Sequence, residues 1–78
     1  MSLKPEILKQ IVGKTIAGIV TREGVGAGPR YQLFVIFTDN TYLEFYGDMG
    51  WSTLLDTGDV ETVKQHASRF GGKVVVIN

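Results

Sequence analysis

Arg22, Arg30, Glu44, Trp51 and His66 are the residues with which this chain could do chemistry. His66 is the single histidine. It would serve as a general base if Glu44 or Asp56 came near it, but no nucleophile stands at a spacing that supports such a pair. Arg22 and Arg30 flank Gly24–Val25–Gly26–Ala27–Gly28–Pro29 and could hold one acidic group between them. The glycines look like a phosphate loop, yet a phosphate cradle needs a helix N-terminus directly after them. Here Pro29 and a β-rich run follow, so the segment reads as a hairpin loop. Asp48, Asp56, Asp59 and Glu61 cluster late in the chain, but Asp56–Thr57–Gly58–Asp59 is only a fragment of a calcium loop. Asp59 is better placed as a helix cap, and no metal or cofactor site is expected. Trp51, after Met49 and Gly50, either pins a long loop to the core or presents a binding hot spot.

Composition narrows the classes further. A chain of 78 residues makes one domain, spanning 1–78, near the lower size limit for independent folding. With no cysteine, disulfide staples, zinc ribbons and thiol catalysis are excluded. Eight basic residues balance eight acidic ones. That balance argues against nucleic acid or an anionic membrane as partner, and it removes the self-repulsion that keeps small proteins apart. No stretch approaches the ~20 apolar residues of a membrane helix, and no secretory signal is evident, so a cytoplasmic location is expected.

The elements that must position these residues follow from pattern. Pro5 opens a short helix in which Ile7, Leu8, Ile11 and Val12 form an apolar stripe, and Gly13 stops it. Lys14 to about Glu23 is a first strand, in which Gly18 signals a bulge or a close backbone approach. Arg30–Thr38 and Thr41–Tyr46 are the next two strands. Trp51–Leu55 could add a short strand or a helical turn. Asp59 caps a helix over 60–70 with Val60, Val63, Ala67 and Phe70 buried, and Gly71–Gly72 end it. Lys73–Asn78 is the last strand. The expected fold is α+β in the order α-β-β-β-α-β. It has a four-stranded, mostly antiparallel sheet and two helices, as a single layer or a two-layer sandwich. A helical crossover would set the last strand parallel to the first, in spatial order 3-2-1-4. Val74–Val75–Val76–Ile77 is apolar at consecutive positions, which is how a strand covered on both faces reads.

If Asp39–Asn40 is a two-residue type I′ loop, Thr38 pairs with Thr41 and the faces follow. Ile36 with Leu43 and Phe34 with Phe45 would then form the core. Tyr31, Leu33, Val35, Phe37, Tyr42, Glu44 and Tyr46 would share the other face. Either the first helix covers that aromatic face, or another chain does. The reading that results is a small non-enzymatic interaction module. It is expected to be a homodimer through those seven residues and to bind a protein or peptide partner. The alternative is a small-ligand domain, or an enzyme, with a polar cleft near Arg22, Arg30, Glu44, Trp51 and His66.

Overall fold

The computed structural model describes residues 5–24, 31–47, 52–69 and 71–78. The order is α1 (Pro5–Gln10), β1 (Ile16–Glu23), β2 (Tyr31–Phe37), β3 (Thr41–Gly47), β4 (Ser52–Thr57), α2 (Val60–Ser68) and β5 (Lys73–Ile77). The fold is therefore α+β with two helices, but the sheet has five strands, in the order β4-β3-β2-β1-β5. Every neighbouring pair is antiparallel.

The extra strand also corrects the direction of the last one. A helical crossover returns the chain parallel to the strand it left. With three strands in the meander, that strand would run with β1. With β4 added, the departing strand runs against β1, so β5 pairs antiparallel with β1. The crossover helix α2 lies on the way, against β1, β5 and β2.

Asp59 starts α2 as expected: its backbone is extended and its Oδ1 accepts from the Thr62 N–H at 2.8 Å. Val63 and Ala67 are buried beneath the helix with Val20, Phe34, Ile36 and Tyr42, and Val60, Val74 and Val76 pack at the margin. Phe70 lies outside the described residues. Gly18 serves both of its expected purposes. Ala17 is the extra residue of a bulge between Ile16 and Gly18. A Cβ on Gly18 would sit 2.9 Å from the Val60 methyl and 3.1 Å from the Ile77 carbonyl oxygen.

The β2–β3 hairpin is one residue out of the expected register. Ile36 pairs with Tyr42, Val35 with Leu43 and Phe34 with Glu44. A type I′ loop needs two left-handed residues, and only Asn40 has positive φ, at 63°. The Asn40 N–H bonds back to the Phe37 carbonyl at 3.1 Å, so the loop has three residues, Thr38–Asn40. Asp39 decides this. Its Oδ1 accepts from the Thr41 N–H at 3.1 Å and from the Thr41 hydroxyl at 2.5 Å, and its Oδ2 binds Lys14 Nζ at 2.8 Å. A carboxylate fixed this way closes the three-residue turn onto the first residue of β3.

That slip moves every side chain of β3 to the opposite face. Tyr42, Glu44 and Tyr46 turn towards the α2 side with Phe34 and Ile36, while Leu43 and Phe45 join Leu33 and Val35 on the second face. The seven residues expected on one surface are thus divided between two.

Candidate functional site

Two regions carry the residues of interest, one on each face. On the α2 side, Arg22, Gln32 and Glu44 make a buried chain across β1, β2 and β3. Arg22 Nη1 donates to Gln32 Oε1 at 3.0 Å, and Gln32 Nε2 donates to Glu44 Oε2 at 2.8 Å. Arg22 Nε donates to the Gly71 carbonyl oxygen at 2.8 Å. All three side chains are buried, so opposite charges meet in the interior through a neutral amide. Gly24 covers the guanidinium so closely that an added Cβ would overlap it.

His66 is on α2, its ring edge-on to Phe34 with centroids 6.2 Å apart. It borders a cleft of about 150 Å³ between α2 and the β3–β4 hairpin, lined also by Tyr42, Thr57, Thr62, Gln65 and Arg69. Burial, followed by the negative charges of Asp56 and Glu44, raises the Tyr42 phenol above its ordinary value. Arg22 and Glu44 belong to the interior chain and His66 to the cleft. Arg30 and Trp51 lie outside the described residues, as do Asp48 and Met49. Of the described members of the expected ligand set, His66 borders this cleft, while Arg22 and Glu44 are joined through Gln32. Asp56 accepts from the Thr57 N–H and Asp59 caps α2. No group of three or more acidic or histidine side chains placed to hold a metal is found among the described residues.

Gln32 was not singled out by sequence reasoning. Its signal was present: Arg22, Gln32 and Glu44 are each a polar residue inside an apolar strand run. Three such residues on neighbouring strands have reason to meet one another.

The second face is organised in rows. Ile77, Ile19 and Val35 form the first row across β5, β1 and β2, and Val75, Thr21 and Leu33 form the second. Lys73, Glu23 and Tyr31 form the third, at the end of the strands. α1 contacts β4, and Lys14 just beyond it lies over the Phe37 ring with Nζ 5.5 Å from the centroid. Leu43 and Phe37 are both buried. Away from that corner the surface is open: Tyr31, Val75 and Ile77 are 44%, 39% and 55% exposed. Of the seven residues expected at an interface, Tyr31, Leu33 and Val35 belong to this open part, and Phe37 lies beneath Lys14.

Neither a known protein family, nor a curated protein, nor a solved structure matches this chain. No helix among the described residues is long and apolar enough to cross a membrane.

Proposed function

We propose that this protein is a non-enzymatic interaction module that works through the β5–β1–β2 part of its second face, and that the partner this face meets is another copy of the same chain. The observation that carries the reading is β5. Its sequence is that of a strand buried on both faces, yet only Val74 and Val76 are sheltered, under α2. Val75 and Ile77 stand open on the other side. A chain this small has little apolar surface to leave in water, and zero net charge puts no long-range repulsion between copies.

Magnitude sets the expected affinity. Three strands about 4.8 Å apart and five residues of about 3.3 Å rise make a footprint of roughly 14 by 17 Å. Such a patch falls short of the ~800 Å² per partner of a standard stable interface. Association is therefore expected at high micromolar concentration rather than nanomolar.

Light scattering from micromolar to near-millimolar concentration tests this. The molar mass should climb towards that of two chains, and a Val75→Lys variant with unchanged circular dichroism should stay at one. A single-chain mass at every concentration would overturn the reading.

A further inference from the structure

The row Lys73–Glu23–Tyr31 supplies more than a boundary to the apolar patch. Glu23 and Lys73 are directly opposite each other on β1 and β5, both are exposed, and no ion pair joins them. Resting on the association reading above, we infer that two copies stack face to face with the two-fold axis parallel to the strands and running between β1 and β5.

Several symmetric stackings are open to such a patch, and charge complementarity favours one of them. An axis along β1 itself would set Glu23 against its own copy, with like charges apposed. An axis across the strands would lay the charged row of each copy on the Ile19–Ile77 row of the other, taking both charges out of water against apolar side chains. An axis between β1 and β5 sets β1 of one copy over β5 of the other. Glu23 then meets Lys73 twice by symmetry, Ile19 meets Ile77, and Thr21 meets Val75. The strands stay nearly aligned, as in packed antiparallel sheets. Leu33 and Tyr31 on β2 then lap beyond the open β5 edge of the other copy, which β-sheet proteins otherwise leave as a hazard.

The test uses Glu23→Lys and Lys73→Glu, made separately in the full chain. In the first variant positions 23 and 73 are both basic, and in the second both are acidic. Each variant alone apposes like charges across the proposed axis, so each should dimerise at least about tenfold more weakly than wild type at low salt. An equimolar mixture should recover dimers of wild-type strength, read by light scattering and by native mass spectrometry as one chain of each kind. Contacts within one chain cannot produce that recovery, and circular dichroism checks that both variants are folded. If wild type dimerises but the single variants do so equally well, or the mixture recovers nothing, this geometry is overturned while the association reading stands. If wild type never dimerises, both fall.

Discussion

Gln32 occupies the point where the interior is most exposed to a single change. Its amide accepts from Arg22, which also donates to the Gly71 carbonyl, and donates to Glu44, so it joins the two buried polar side chains. Removing the amide leaves a dehydrated Glu44 oxygen and an Arg22 Nη1 without the hydrogen bonds it gave them, which costs more than those bonds were worth. Gln32→Leu has nearly the right volume but no polar atom. It should destabilise the fold by about 3 kcal/mol, read as a fall in the urea midpoint with unchanged slope. The residue types were visible in the chain, but their meeting was not. A buried Glu44 was expected on a solvent-facing or interface surface until the register placed it beside Gln32.

At the scale of elements, the Asp39 carboxylate ties the β2–β3 turn to the segment leading out of α1. The Lys14 ammonium, followed by the Thr41 hydroxyl, lowers its pKa from 3.8 to about 2. A depressed carboxylate stabilises the fold above its unfolded pKa, and that contribution is lost as the pH falls through the folded one. The window is therefore about pH 4 down to about pH 2. The side chain is half exposed, so screening keeps the effect small. An NMR titration of the Asp39 carboxyl should show its midpoint near 2 in wild type, shifted up towards the ordinary carboxylate range in Lys14→Met. Wild type should also lose more stability than that variant between pH 4 and pH 2. The same element shows why hairpin register is hard to read from a chain. Asp-Asn between two β-rich runs is compatible with a loop of two residues or of three, and the choice rests on which donors surround the aspartate. Thr41 is in the sequence beside it, whereas Lys14 is 25 residues away.

Among the described residues, the molecule is a five-stranded sheet with two helices. α2 lies against β1, β5 and β2, and α1 contacts β4. The β5–β1–β2 part of the second face exposes Tyr31, Val75 and Ile77, and only folded chains present it. Anything that binds the folded state alone raises stability by mass action. The melting temperature should therefore increase with protein concentration over the range where molar mass rises. In Val75→Lys it should be independent of concentration. Differential scanning calorimetry at low and high concentration checks this.

The elements themselves were legible because their signals are local. Pro5 opens a helix, Asp59 caps one, Gly18 marks a bulge, and runs of β-branched and aromatic residues make strands. Hydrogen-bonding side chains and backbone sterics act within a few residues, so the chain alone determines them. The number of strands was less plain, because 51–55 has no strong period of either kind. Everything that follows from counting was decided only in three dimensions: whether β5 runs with or against β1, which face Tyr42 and Glu44 take, and which apolar rows remain open. Side chains alternate with a period of two along a strand, and strand direction alternates along a meander. One residue in a turn or one strand in a sheet thus reverses the outcome, while the local free energies that shape each element barely change. What settled these choices was contact between distant residues: Asp39 with Lys14, Arg22 with Gln32 and Glu44, and β5 with β1.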